Sequence, residues 1–312
     1  MPQLLTRPAF WLAAYLVLMN LVTFWVYGAD KRRARRGRWR VPEKTLFLLP
    51  LLGGALYLVF GNKAPSKGMR RRMQSVEKAH TGDLAQQPGP ARQLAGDHFS
   101  GLSRYVARYG PFPVWDKTQA RYFPCGEAMY PKLLADLEKA EKFIFLEYFI
   151  VRSGKMWSGV EEILMRKAAQ GVDVRVMYDG TCEFSTLPRD YPRRLEALGI
   201  RCKVFAPVTP FVSTHYNYRD HRKILVVDGR VGFTGGVNLA DEYINHIQKH
   251  GRWKDAAVML EGEAVRSLTA QFLQMWGILQ QPEFDQFLTD PIPAERAAGF
   301  VVPYGDCPLD GE

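Results

Sequence analysis

From about residue 119 onward, the chain alternates between continuous apolar runs and segments whose apolar residues recur at helical spacing. The run 142–151, KFIFLEYFIV, is typical of a strand covered on both faces. Residues 156–170 place Trp157, Val160 and Leu164 on one helical stripe. Further helices are predicted at 127–140, 188–198 and 262–280, and further strands at 173–180, 200–207 and 256–260. KILVV and VGFTG, joined by Asp228-Gly229, predict a hairpin. This alternation predicts an α/β fold built in layers.

The first 72 residues follow a different pattern, with two long apolar stretches. Residues 9–27 carry no charge over 19 positions, close to the roughly 20 that span a bilayer as a helix. Trp11, Trp25 and Tyr27 lie near its ends, where interfacial aromatic residues belong. A cleaved signal peptide fits less well, because the apolar run is long and a basic block follows it. Residues 45–60 contain Pro50, and they either span a thinned bilayer or enter it and return.

The charge of the chain is concentrated in that N-terminal part. Residues 1–72 hold 14 Lys/Arg and 2 Asp/Glu, a net charge of +12, which leaves −2 for residues 73–312 out of the total of +10. Basic clusters beside apolar segments indicate an anionic membrane surface and not a nucleic acid. The clusters favour one full span with the N-terminus outside, a re-entrant or interfacial second segment and a cytoplasmic catalytic part. Residues 73–118 contain a stretch rich in turn formers and are predicted to be a connector.

The four cysteines are scattered along the chain. Cys125, Cys182, Cys202 and Cys307 form no C-x-x-C pair and have no histidine at metal-site spacing. Free thiols in a reducing compartment are therefore favoured over two disulfides. No metal and no cofactor is predicted.

The candidate chemistry lies at residues 221–238, HRKILVVDGRVGFTGGVN. His221 and Lys223 are two positions apart in an extended segment, so their side chains face the same way. An imidazole can attack phosphorus, and a fixed ammonium can stabilise the charge that develops on the phosphate oxygens. Asn238 can add a neutral donor. Asp228 has the opposite parity from His221, so a role in the turn stays open for it.

The joint spacing H-x-K-x4-D-x6-G-G-x-N is identified as the signature of the phospholipase D superfamily. The segments FIFLEYFIV, VRVMYDG, NYRDHRKILVVDG, FTGGVNLADEYIN and WKDAAVMLEGEAV resemble the first half of bacterial cardiolipin synthases. This resemblance implies a phospholipase D-like layered α-β-α domain, one repeat at 119–312, preceded by N-terminal membrane segments. VTFWVYGADKRRARRGRWRVPEKTL also resembles a family of small bacterial membrane proteins of unknown function.

The resemblance also implies a reaction, in which a phosphatidyl group moves from one phosphatidylglycerol to another through a phosphohistidine, giving cardiolipin and glycerol. The residues implied as catalytic are His221, Lys223 and Asp228, and those implied as substrate-binding are Gly235, Gly236 and Asn238. A carboxylate some thirty residues after the signature histidine often orients the imidazole in this superfamily. Asp255 is the candidate, with a surface strand residue as the alternative. Glu147 is an unusual carboxylate within an apolar strand, where burial costs several kcal/mol unless it is paired, so it is a possible polar site residue.

The signature occurs once, whereas members of the family carry a second copy about two hundred residues later. We therefore expect a partial sequence, with the second motif supplied by a missing half or by another chain. The expected partners are phosphatidylglycerol, the membrane and that second motif, and not nucleic acid. Two alternatives stay open: a single-motif dimeric phosphodiesterase or nuclease, and a non-catalytic membrane fragment. The net charge of −2 over residues 73–312 counts against a nuclease.

Overall fold

The computed structural model describes residues 113–305 except 208–218, 249–250, 279–284, 289–291 and 293–296, together with a few positions before residue 113. It divides into two units, of which the first comprises Met1–Pro65 and Thr209–Tyr218. In that unit the described residues, 15, 17, 18, 20–26 and 29, are helical. Among the described positions, no helix is both long enough and apolar enough to cross a membrane. The predicted segment 9–27 falls only partly on described residues, and the predicted segment 45–60 lies outside them.

The second unit contains a sheet of seven strands. These are β1 (Thr118–Phe123), β2 (Phe143–Tyr148), β3 (Asp173–Asp179), β4 (Arg201–Phe205), β5 (Lys223–Val227), β6 (Val231–Gly235) and β7 (Ala257–Gly262). The strand order is β1-β7-β6-β5-β2-β3-β4. Strands β2, β3 and β4 are mutually parallel, and the other neighbouring pairs are antiparallel.

Helices connect and cover these strands. They are α1 (Gly126–Leu137), α2 (Lys155–Ala169), α3 (Thr181–Ser185), α4 (Tyr191–Ala197), α5 (Val265–Gly277) and α6 (Asp285–Leu288), with a 3-10 turn at Asp241–Ile244. Parallel strands need crossover connections, and α2 supplies the one between β2 and β3. Every residue of β2 is buried, as expected for a central strand with helices on both faces.

Two hydrophobic cores lie on the two faces of the sheet. On one face Ile144 and Leu146 pack in the same cluster as Trp157 and Leu164 of α2. On the other face Phe145 stacks on Phe272 of α5, with ring centroids 4.6 Å apart. Burying each large apolar side chain contributes roughly 1.5–3 kcal/mol. The two cores make the α-β-α layering that the sequence predicts.

The helices and strands predicted between residues 127 and 280 are confirmed, with small differences at their ends. The β5–β6 hairpin has the predicted bounds, and Asp228 and Gly229 both have positive φ, 51° and 66°, as a tight hairpin turn requires. Strand β1 was not predicted, because its sequence TQARYF has two buried ends and four exposed residues between them. The short helices α3 and α6 were not predicted either, since four or five residues are too few to show a helical period.

Candidate functional site

The signature histidine and lysine lie where the termini of several strands meet. His221 precedes β5, and Lys223 is the first residue of β5, paired with Tyr148 at the end of β2. Because β6 runs antiparallel to β5, the end of β6 and the start of β7 come to the same edge of the sheet. His221 is an exposed residue and Lys223 is buried. The site therefore presents the imidazole outward above a buried ammonium.

Lys223 is held in a fixed position. Its Nζ donates a hydrogen bond to the carbonyl of His221 at 2.5 Å and lies 5.4 Å from the centroid of the Phe149 ring. Burial lowers the pKa of Lys223 to about 8, although Asp220 and Asp255 favour the charged form. The lysine is thus a cation at neutral pH, poised to lose its proton under mildly alkaline conditions.

The imidazole of His221 is kept largely neutral. Its ring lies 4.8 Å from the Phe149 ring, measured between centroids. Burial lowers the pKa of His221, the charge of Lys223 lowers it further, and Asp220, Asp179 and Asp255 oppose the shift. A neutral imidazole retains the lone pair that a nucleophile or a general base needs.

Asp255 lies at the same site, in space that the absence of a side chain on Gly236 leaves open. It lies just before β7, and its charge acts on both His221 and Lys223. A Cβ on Gly236 would stand 1.8 Å from Oδ1 of Asp255, so any side chain there would have to displace this carboxylate. The adjacent Gly235 has φ +146°, and a Cβ on it would meet the carbonyl of Ala256 at 2.5 Å. The two glycines of the signature therefore make room for the carboxylate and for the β7 backbone.

Asn238 is buried and makes two hydrogen bonds within the fold. Its Oδ1 accepts a hydrogen bond from the backbone N–H of Ile150 at 2.9 Å, and its Nδ2 donates to the Tyr243 hydroxyl at 2.8 Å. In this arrangement Asn238 fixes the chain that leaves β2, next to Phe149. A contact with substrate through the second hydrogen of Nδ2 would leave both bonds intact.

Asp228 does not lie with His221. It occupies the turn at the opposite end of β5, and its carboxylate accepts hydrogen bonds from the backbone N–H groups of Glu141, Lys142 and Phe143, each at 2.8 Å. The sequence signature groups Asp228 with the catalytic residues, whereas the structure places it at the other end of β5 from His221. Its place in the signature reflects the turn that anchors β5 to the start of β2.

Glu147 lies next to the signature on the other face of the sheet. Its Oε1 is 3.1 Å from Nε of Arg222, an ion-pair distance, yet neither carboxyl oxygen accepts a hydrogen bond from the described residues. The Nε–H of Arg222 points instead to Oδ1 of Asp220, also at 3.1 Å. Burial raises the pKa of Glu147 well above its usual value, Arg222 opposes that shift and Asp220 adds to it.

Two polar residues of this region were missed by the sequence analysis. Asp179 ends β3 and accepts hydrogen bonds from the backbone N–H groups of Thr181 at 2.9 Å and Asp220 at 3.2 Å. Asp220 precedes His221 directly. The sequence does indicate Asp179, because it ends a predicted buried strand, and polar residues at the ends of parallel strands collect at one edge of the sheet. The aromatic contact of Phe149 had no such signal, since a phenylalanine in an apolar run reads as core.

The comparisons with known proteins identify the kind of domain that carries this site. Residues 133–276 match the family described as cardiolipin synthase, PLD-like domain, and residues 20–64 match a family of proteins of unknown function, DUF1294. Both ends of the chain thus show the resemblances that their sequences predict. The chain carries a phospholipase D-like domain of the cardiolipin synthase family.

Curated relatives extend the match beyond that domain. A cardiolipin synthase of Geobacillus kaustophilus is 36% identical over 274 residues, which cover 84% of this chain and 54% of that protein. A cardiolipin synthase of Alkalihalophilus pseudofirmus is 37% identical over 247 residues, 76% of this chain and 49% of that protein. An uncharacterised protein of Streptococcus mutans is 56% identical over 212 residues, 68% of this chain and 46% of that protein. The chain spans about half the length of the curated relatives it matches.

Solved structures with a similar arrangement are more distant. NucT from Helicobacter pylori is 10% identical with a TM-score of 0.41, covering 51% of this chain and 96% of that chain. Phosphatidylserine synthase of Haemophilus influenzae is 12% identical with a TM-score of 0.40, covering 55% of this chain and 41% of that chain. Likenesses at this level carry no argument about what this chain does.

Three cysteines belong to the described part of the chain. Cys125, Cys182 and Cys202 are free thiols, whereas Cys307 lies outside the described residues. Cys182 is buried, accepts a hydrogen bond from the backbone N–H of Val151 at 3.4 Å and donates to the carbonyl of Phe149 at 3.3 Å. It therefore supports the chain around the ring that contacts His221.

Proposed function

We propose that this chain takes part in the transfer of a phosphatidyl group between two phosphatidylglycerol molecules, giving cardiolipin and glycerol. The observation that carries the proposal is the pairing of a largely neutral His221 with a buried cationic Lys223 at one edge of the sheet. The family of the domain and the names of its curated relatives support a phospholipid substrate.

His221 is proposed to attack the phosphorus of the first phosphatidylglycerol. An N–P bond forms, the P–O bond to the glycerol headgroup breaks, and the departing oxygen takes a proton from a second signature histidine. That histidine then removes a proton from a hydroxyl of the second phosphatidylglycerol, whose oxygen attacks phosphorus and releases His221. The reaction breaks one phosphodiester bond and forms another, so no cofactor is consumed. The ammonium of Lys223 stabilises the phosphorane-like transition states.

The second histidine is proposed to come from a second signature motif, in another chain or in a further part of this protein. The substrate is a membrane lipid, so we also propose that the N-terminal segments 9–27 and 45–60 hold the catalytic part at the membrane, on the cytoplasmic side. The basic residues of 1–72 support this, since each Lys or Arg near an anionic surface contributes about 1 kcal/mol of attraction.

Lipid analysis tests the proposal. The full chain and its His221→Asn variant are expressed in a bacterial host without cardiolipin synthases of its own, with and without a co-expressed polypeptide that carries a second signature motif. We expect cardiolipin to accumulate with the unaltered chain in at least one of these settings and not with His221→Asn. Equal cardiolipin with both, or none in either setting, would overturn the proposal. Cleavage of DNA by the purified chain, lost in His221→Asn, would favour a phosphodiesterase instead.

A further inference from the structure

Charged side chains of β2, β3 and the segment 219–222, which carries His221, form a cluster. Its carboxyl groups belong to Glu147, Asp179 and Asp220, and its guanidinium groups belong to Arg219 and Arg222. All three carboxyl side chains are almost fully buried. The reaction proposed above uses none of them, so their cost of burial needs another explanation.

The cluster holds the backbone on both sides of His221. The N–H of Asp220 donates to Oδ2 of Asp179 at 3.2 Å, and the N–H of Arg222 donates to Oδ1 of Asp220 at 3.2 Å. The carbonyl of His221 accepts a bond from Lys223. The direction in which the imidazole points therefore depends on where Asp179 and Asp220 hold these amides.

Counting donors separates Glu147 from the other two carboxyl groups. Asp179 accepts bonds from two backbone N–H groups, and Asp220 accepts from the backbone and the side chain of Arg222. Glu147 accepts none from the residues that the structure describes. A buried carboxylate without a donor is costly, whereas a buried carboxylic acid can itself donate a bond.

The charge balance leads to the same residue. The Nε of Arg222 lies 3.1 Å from Oε1 of Glu147 and 3.1 Å from Oδ1 of Asp220, so two buried carboxyl groups face the same guanidinium nitrogen. A proton on one of the two carboxyl groups removes their mutual repulsion. Asp220 accepts hydrogen bonds from the backbone and the side chain of Arg222, whereas Glu147 accepts none from the described residues. Burial and the neighbouring Asp220 also raise the pKa of Glu147, so the proton belongs on Glu147.

We infer that Glu147 is a positioning residue for His221, acting as a neutral carboxylic acid that donates a hydrogen bond to Asp220 and so fixes the segment 219–222. The inference rests on the proposed role of His221. Within the described chain, the charges that act on Glu147 come from Arg222 and Asp220. Its neighbours in register, Met177 on β3 and Ile224 on β5, carry no charge.

Two substitutions test the positioning role. Glu147→Gln keeps a neutral donor of the same shape, and Glu147→Ala removes it. The full chains are assayed with a second signature motif present, and kcat is expressed per folded molecule. We expect Glu147→Gln to retain kcat within about threefold, and Glu147→Ala to lose roughly tenfold to a hundredfold in kcat with little change in KM, because a misplaced reacting group costs rate. A kcat that is equally low in both variants would make Glu147 an ionised partner of Arg222 and overturn the inference. An unchanged kcat in both would reduce its role to folding alone and overturn it as well.

A second measurement tests the protonation without any turnover, so it also stands if the proposed reaction fails. Because the pKa of Glu147 is raised above the usual 4.5, the folded protein keeps a proton that the unfolded chain releases. The stabilisation from this proton is complete below about pH 4.5 and is lost as pH rises toward the folded-state pKa. Above about pH 5 and up to the folded-state pKa of Glu147, the folding equilibrium constant of the unaltered chain should fall about tenfold per pH unit relative to that of Glu147→Gln. The readout is thermal unfolding of both full chains in detergent. Parallel pH dependences would show an ionised Glu147 and contradict the inference.

Discussion

Removing the carboxylate of Asp228 separates an architectural role from a catalytic one. Its three hydrogen bonds to the backbone of Glu141, Lys142 and Phe143 are each 2.8 Å long, and two of the three are exposed to solvent. The part-buried bond contributes about 1.5 kcal/mol and each exposed one about 0.5 kcal/mol, because charged acceptors are stronger but water competes at the surface. Asp228 also has φ 51°, which costs alanine about 1 kcal/mol more than it costs asparagine or glycine.

Asp228→Ala should therefore lower the free energy of unfolding by about 3–4 kcal/mol. Asp228→Asn keeps one acceptor oxygen and tolerates the positive φ, so a loss of about 1–2 kcal/mol is expected. Asp228→Gly is the matched control, since it removes the hydrogen bonds and relieves the backbone; it should fall between the two. Denaturant unfolding of the full chains measures all three.

The decisive readout is turnover per folded molecule. If the carboxylate only anchors β5 to the start of β2, Asp228→Asn should turn over phosphatidylglycerol within about threefold of the unaltered chain, because His221 lies at the other end of the strand. A stable, folded Asp228→Asn variant with kcat reduced about a hundredfold or more would refute the reasoning and return Asp228 to the catalytic residues.

Three further outcomes follow from the site. Lys223 loses its ammonium charge as pH rises through its lowered pKa of about 8, so kcat/KM should fall above that pH. In Lys223→Arg the decrease in kcat/KM should shift to higher pH. An identical pH profile for the two proteins would contradict this. Gly236→Ala displaces the carboxylate of Asp255 and should lower turnover roughly tenfold. In a chain that already carries Asp255→Ala, the same substitution should lower turnover about twofold or less. Equal losses in both backgrounds would show that Gly236 and Asp255 do not act together. Asn238→Ala should lower the free energy of unfolding by about 2–3 kcal/mol and Tyr243→Phe by about 1 kcal/mol, because only the first leaves the partly buried backbone N–H of Ile150 without its acceptor. Equal losses in denaturant unfolding would argue against that bond.

Most of the sheet was predictable because its strands obey local rules. The apolar run at 142–151 and the Asp228-Gly229 turn each specify a structure within a few residues. Strand β1 could not be predicted in this way, since it lies at the edge, and its pairing partner β7 is more than a hundred residues away. Non-local pairing leaves little trace in the sequence of the strand itself.

The site was predictable in its residues but less so in their roles. The spacing of His221 and Lys223 is a local property of an extended chain, and the structure brings both to one edge of the sheet. Asp228 shares the signature with them, but parity and the hairpin place it at the opposite end. Glu147 stood out as a charge in an apolar run, although its neighbours Asp220 and Arg222 come from a segment some seventy residues later, which no local pattern can reveal.

The central claim is that His221 holds a phosphoryl group covalently during exchange. The direct measurement is to incubate the full chain, with its second motif present, with phosphatidylglycerol, stop the reaction in alkali to preserve phosphoramidates, and locate the phosphorus by peptide mass spectrometry. The account predicts an adduct on His221 that is absent from the His221→Asn variant. Turnover that proceeds with phosphorus on a different residue, or that survives His221→Asn, would contradict it.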